Sequence, residues 1–240
     1  MTETPLLSVH NVSNVYTDRR TGFFGRIEEK RVLNNVNMEI RHGEIFGLTG
    51  KSGCGKTTLT RCILGLINYE GEILIEDKKI DEIKLKWHEK RKQRADLQII
   101  FQDPGASLNP LKNIGYLMEE PLHIHKIGNV NERKQKAQEM LLRVGLDPSY
   151  GTRRAHELSG GQKQRICIGR ALILKPRLLI ADEAVSSLDV SQGAQILNLF
   201  TELHRDLKLS ILFISHNKDA AEYLCDKIAV MEKGCIKEII

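Results

Sequence analysis

Two glycine-bearing stretches of this chain could hold a phosphate, and they lie about a hundred residues apart. The first is GKSGCGKTT, Gly50 to Thr58. Gly50, Gly53 and Gly55, with Ser52 and Cys54 between them, would let backbone N–H groups turn inward on an anion. Lys56 would neutralise the outer phosphates of a nucleotide, and the hydroxyl of Thr57, next to Thr58, would hold Mg²⁺. The second stretch is HELSGGQKQR, His156 to Arg165. Ser159 is a helix N-cap residue, and Gly160, Gly161 and Gln162 follow at the positive end of an amphipathic helix. That end is also built for an anion. Since the first cradle is served by its own helix, the second needs a phosphate from elsewhere.

Further polar groups end apolar runs. RLLIADE closes on Asp182 and Glu183; Asp182 would hold Mg²⁺ through water, and Glu183 would take a proton from an attacking water. Gln102 ends IIFQD and His216 ends LFISH. Gln102 could touch Mg²⁺ and the water, and His216 could donate to a terminal phosphate. Taken singly, each is also an ordinary polar residue at a strand end. The pair His123 and His125 does not fill a metal shell by itself.

These groups must be placed by strands and helices. LLSVHNVS, VLNNVNMEI and EIFGLTG read as strands, and TTLTRCILGLI as a helix running on from the first cradle. EGEILIEDKKI reads as a strand with a turn at Asp77-Lys78, and KIAVMEKGCIKEI as a hairpin about Lys233-Gly234. DLQIIFQD, RLLIADE and SILFISH are short apolar strands that end in the polar groups above. Strand ends on one edge of a parallel sheet are where ligands collect. From about Pro104 to Ala171 the signals turn helical: Asn129 and Glu132 form a capping box for a helix ended by Gly145. The expected class is α/β, a mainly parallel sheet with an inserted helical segment.

The 240 residues are 41% hydrophobic, enough for one large core with a subdomain. The net charge of +5 fits an anionic ligand or an acidic membrane face, and no basic stripe with interleaved aromatics points to nucleic acid. Five scattered cysteines without a C-x-x-C pair imply free thiols rather than disulfides or zinc. No apolar run is long enough to span a membrane, and Arg19-Arg20 is followed by TGFFGRIEEKR instead of an apolar leader. The expectation is a protein without a membrane span, held to a membrane only by a partner.

Together the motifs resemble the ATPase subunits of ATP-binding cassette (ABC) transporters, over roughly residues 6 to 240. GKSGCGKTT, the glutamine of IIFQDP, LSGGQ, LLIADE, SSLD and the histidine of FISH stand in family order. The resemblance implies the P-loop NTPase fold of that family: one domain over 1–240, with a RecA-like core and an antiparallel β subdomain at 1–103 and 172–240. A helical subdomain would occupy about 104–171. It implies ATP and Mg²⁺ as cofactors and Tyr16 as the ring that stacks on adenine, although a half-buried strand tyrosine would look the same.

The resemblance also explains the second anion site. Two ATPase subunits, alike or different, would pair head to tail, so that Ser159, Gly160 and Gly161 face the ATP held by the other subunit. Asp189 of SSLD would lie across the same interface. Two permease subunits would hold the pair at the cytoplasmic face of the membrane, with an extracytoplasmic binding protein acting indirectly. QDPGASLNP, the added length before the P-loop, and Ala184-Val185 after Glu183 resemble the peptide and nickel importer branch, closest to the second ATPase subunit of nickel importers. Translation or DNA-repair ATPases of the family, and a nucleotide-binding subunit without turnover, are the rival expectations.

Overall fold

The computed structural model describes residues 4–19, 27–80 and 87–240; residues 1–3, 20–26, which include the whole TGFFGR stretch, and 81–86 lie outside it. By its internal contacts the chain divides into two compact units, Met1–Leu85 with Ile214–Ile240, and Lys86–Phe213.

The first unit opens with β1 (Leu7–Arg19), β2 (Ile27–Ile40) and β3 (Ile45–Thr49), followed by α1 (Lys56–Ile63), β4 (Glu70–Ile75) and β5 (Lys78–Lys79). The order β2-β1-β4-β5 is an antiparallel sheet, in which Leu7 faces Ile40 on one side and Ile75 on the other. Leu7, Val9, Leu33, Val36 and Ile73 are fully buried from this sheet. β3 is apolar at nearly every position and buried throughout, the pattern of a strand covered on both faces.

The second unit begins with α2 (Trp87–Asp96) and β6 (Leu97–Ile100). A helical run follows: α3 (Pro104–Ser107), α4 (Ile114–Ile124), α5 (Val130–Arg143) and α6 (Gly160–Leu172). Then come β7 (Leu178–Asp182), α7 (Val190–Leu207) and β8 (Ser210–Ser215), the last carrying the chain back into the first unit. β6 and β7 pair in parallel, Ile99 beside Ile180. The Asn129–Glu132 capping box is present in both directions, at 3.0 and 2.8 Å. Phe200 and Phe213 meet edge to face with centroids 6.3 Å apart, which anchors α7 on β8.

The first unit closes with α8 (Lys218–Leu224), β9 (Lys227–Glu232) and β10 (Cys235–Ile239). β3 and β9 run parallel, whereas β9 and β10 form the expected hairpin, with Lys233 and Gly234 at φ 46° and 79°. β3–β9 and β6–β7 are thus parallel pairs, while antiparallel pairs build the β2-β1-β4-β5 sheet and the β9–β10 hairpin. Two local expectations shift. α1 ends at Ile63 instead of running through Ile67, because Gly65 takes a left-handed turn that sends the Leu66 N–H back to the Arg61 carbonyl. The β4–β5 turn is Glu76-Asp77, both at positive φ, one residue ahead of the expected pair.

Candidate active site

In the first unit the P-loop runs from the end of β3 to the start of α1. Gly55, the N-cap of α1, offers no side-chain acceptor, so the first N–H groups of the helix are left for a ligand. Lys56 is 6% exposed, and its Nζ folds back to donate to the carbonyls of Gly50 (2.7 Å) and Lys51 (3.3 Å). A buried ammonium held by two carbonyls of its own loop is poised to exchange them for a stronger anionic partner. Gly50 permits this close weave: a Cβ there would lie 2.3 Å from the Met231 carbonyl and 2.8 Å from Cys54 Sγ. Ser52, Gly53 and Thr57 are exposed, Cys54 is buried and Thr58 is half-buried.

The loop is braced from behind by a residue that no motif marks. The N–H of Gly234, in the β9–β10 turn, donates to the Cys54 carbonyl at 2.8 Å, and its own carbonyl accepts from Asn34 N at 2.9 Å. Also in the first unit, Tyr16 is 39% exposed on β1 opposite Lys30, and His216 is exposed just after β8.

The second unit carries the other candidates. Gln102 is exposed just beyond β6, and its carbonyl accepts from Ser187 Oγ at 3.4 Å, which ties the glutamine to the SSLD loop. Asp103 caps α3, accepting from Gly105 N at 2.7 Å and Ala106 N at 3.1 Å. Asp182 is half-buried at the end of β7. Glu183 takes φ +51°, a conformation that non-glycine residues adopt mostly under constraint. Its carbonyl is pinned by Ser186 N and Oγ, at 3.1 and 2.9 Å. Nothing in the residue pattern announced this backbone.

Ser159 caps α6 in a full capping box with Gln162, leaving its hydroxyl proton and the exposed Gly160 N–H available. The Gly161 N–H is already engaged: it donates to Gln192 Oε1 of α7 at 2.9 Å. Asp189 caps α7 and accepts from Gln192 N at 2.8 Å. His123, by contrast, faces Arg133, with Nδ1 2.8 Å from the guanidinium. Among the described residues no three His, Cys, Asp or Glu side chains converge as a metal site.

Residues 33–186 match the family profile described as ABC transporter. This chain belongs to the ABC transporter family. A Brucella ovis protein provisionally named a peptide import ATP-binding protein is 45% identical over all 240 residues, which cover 73% of its length. The oligopeptide transport ATP-binding protein AppF of Bacillus subtilis is 40% identical over 237 residues, 98% of this chain and 71% of that protein. The solved dimeric ATP-binding cassette MJ0796, in a post-hydrolysis state bound to ADP and Pi, superposes with a TM-score of 0.82 at 29% identity. It covers 98% of this chain and 97% of its own. The chain is thus an ABC ATPase, of the peptide and nickel importer branch, and its fold is that of an ABC cassette. Among the described residues no helix is long and apolar enough to cross a membrane.

Proposed function

We propose that this chain is one of the two ATPase subunits that drive an importer of short peptides. The observation that carries this reading is similarity along nearly the whole chain to AppF, whose name gives oligopeptide transport, joined to a full set of phosphate-handling motifs. A second reading, import of nickel or a metal chelate, is favoured by Ala184-Val185 after Glu183. Similarity to the glutathione import ATP-binding protein GsiA of Salmonella paratyphi A, 41% identical over 98% of this chain and 38% of its own length, supports a small, peptide-like cargo.

In this account the triphosphate of ATP draws Lys56 away from its loop carbonyls, and the N–H groups of Gly53 to Thr58 line the phosphates. The oxygen donors of Thr57, Gln102 and Asp182 suit Mg²⁺, which takes few protein ligands and shares phosphate oxygens. When bound, the ion neutralises charge on the phosphates. Glu183, held at its constrained backbone angle, orients and deprotonates the water, while His216 donates to the γ-phosphate. Ser159 and Gly160, then Gly161, receive the γ-phosphate of a partner subunit, with Asp189 beside them. Tyr16 stacks on adenine. Two permease chains dock on the face near Gln102, where Phe101 and Leu111 are 50% and 78% exposed. That docking would hold the chain at the cytoplasmic membrane surface, and the helical segment 104–171 would transmit the stroke.

Co-purification with its permeases, reconstitution in vesicles and uptake of labelled oligopeptides, glutathione and nickel test the proposal. Peptide uptake that stops with Glu183→Gln is the expected result. Uptake of nickel alone would move the assignment to the second reading, and absence of any permease partner would refute both.

A further inference from the structure

Two helices of the second unit open with the same kind of four-residue pattern, Ser159-Gly160-Gly161-Gln162 on α6 and Asp189-Val190-Ser191-Gln192 on α7. In a capping box the first side chain accepts from the fourth N–H, and the fourth side chain accepts back from the first N–H. α6 makes both bonds, Gln162 N to Ser159 Oγ at 3.3 Å and Ser159 N to Gln162 Oε1 at 3.0 Å. α7 makes only the first, Gln192 N to Asp189 Oδ1 at 2.8 Å. The Gln192 side chain has left its own cap and accepts from Gly161 N at 2.9 Å instead. The Asp189 N–H consequently has no protein acceptor among the described residues. The orientation of the Gln192 amide is dictated by its partner, since an N–H needs the oxygen and not the NH₂. The fit is close: a Cβ on Gly161 would lie 3.0 Å from Gln192 Oε1.

We infer that Gln192 is a positioning residue with two seats, the Gly161 N–H while the N-terminus of α6 is empty and the Asp189 N–H once an anion has taken Gly161. One carbonyl oxygen serves two donors that cannot both be satisfied, and an arriving phosphate supplies the missing acceptor. Moving from one donor to the other leaves the Gln192 carbonyl with one hydrogen bond in either place, so neither seat holds it strongly. Room for the movement is present in a cavity of about 450 Å³ lined by Ser159, Gly161, Gln162, Arg165, Tyr150 and Gln192. The result is a direct coupling: phosphate on one helix completes the cap of the next and stiffens the turn that carries Asp189. The inference rests on the proposed role of Ser159 to Gly161 as receptor for a partner's γ-phosphate. It adds a residue that lies outside the LSGGQ and SSLD motifs.

Residue-resolved amide hydrogen exchange on Glu183→Gln protein, with and without Mg-ATP, tests it, the cognate second ATPase subunit being added if the chain does not pair alone. Without nucleotide, the Gly161 amide should exchange about tenfold more slowly in the parent than in Gln192→Leu, as one net hydrogen bond allows. On ATP-driven pairing the Asp189 amide should slow by about tenfold in the parent and remain fast in Gln192→Leu. Gln192→Glu keeps an acceptor at the fourth position and should restore the Asp189 protection. If the proteins pair on ATP but Asp189 is protected equally in the parent and Gln192→Leu, the two-seat inference fails while the shared site stands. If no ATP-dependent pairing occurs, both fail.

Discussion

Replacing Gly234 by alanine should cost this protein far more than the same change at Gly53, although Gly53 belongs to the nucleotide loop and Gly234 belongs to no motif. Both residues sit in the left-handed region, at φ +79° and +77°. At Gly53 a Cβ would meet nothing within 4 Å, so only the backbone penalty applies, about 1 kcal/mol. At Gly234 the new Cβ would lie 2.3 Å from the Val32 carbonyl oxygen, 3.0 Å from the Val32 carbonyl carbon and 3.2 Å from the Leu33 Cα. These are backbone atoms of β2, and no side-chain rotation relieves them. The β9–β10 turn must therefore shift, and two hydrogen bonds loosen: Gly234 N to Cys54 O and Asn34 N to Gly234 O. At about 1 kcal/mol net for each bond, with the same backbone penalty, the cost is about 3 kcal/mol. That is a large share of the 5–15 kcal/mol typical of a folded domain. Denaturant midpoints of the two variants measure the difference, and binding of a fluorescent ATP analogue should fall about tenfold for Gly234→Ala as Cys54 loses its anchor. Equal midpoints for Gly53→Ala and Gly234→Ala would refute the bracing argument.

Other perturbations follow from single contacts. Lys56→Ala removes the one buried cation of the P-loop and should weaken Mg-ATP binding by about a hundredfold in calorimetry, the scale of a lost charge-assisted contact. Burial pushes the thiols of Cys62, Cys167 and Cys225 up to about 12, 11 and 12. At pH 8 these three should alkylate on the order of a hundred times or more slowly than a free cysteine in peptide-mapped labelling, and rapid labelling of Cys62 would contradict its burial. Burial, reinforced by the Arg91 guanidinium, lowers the pKa of His125 below the usual histidine value. The unfolded chain then binds the proton first, so stability should decline as pH falls through about 6.5 and level off once the folded form also protonates. His125→Asn should flatten that decline in urea melts between pH 7.5 and 5.

What could be read from the residues alone was what depends on neighbours in the chain. The Asn129–Glu132 capping box lies within four residues and is present, and Ser159, read as an N-cap, does cap α6. The hairpin at Lys233-Gly234 was marked by its turn residues between two apolar runs. Ile63, Leu64 and Ile67 continue a helical apolar spacing past the true end of α1, which Gly65 and Leu66 close by donating to the carbonyls of Cys62 and Arg61. Asp77-Lys78 and Glu76-Asp77 offer equally polar turns, and only the pairing of Leu74 with Lys79 selects between them. Gln192 could not be recognised at all, since its partner Gly161 lies 31 residues away and its own sequence context describes an ordinary capping box. Gly234 was visible as a turn residue, but its contact with Cys54 comes from the tertiary fold.

In the proposed function ATP joins two cassettes through a pocket that neither completes alone. Sedimentation of Glu183→Gln protein with its cognate ATPase subunit, or alone if it self-associates, measures this most directly. Mg-ATP should double the sedimenting mass in the parent, and Ser159→Arg should abolish the doubling while leaving nucleotide binding to the single chain intact. Full ATP-dependent pairing by Ser159→Arg would contradict the account.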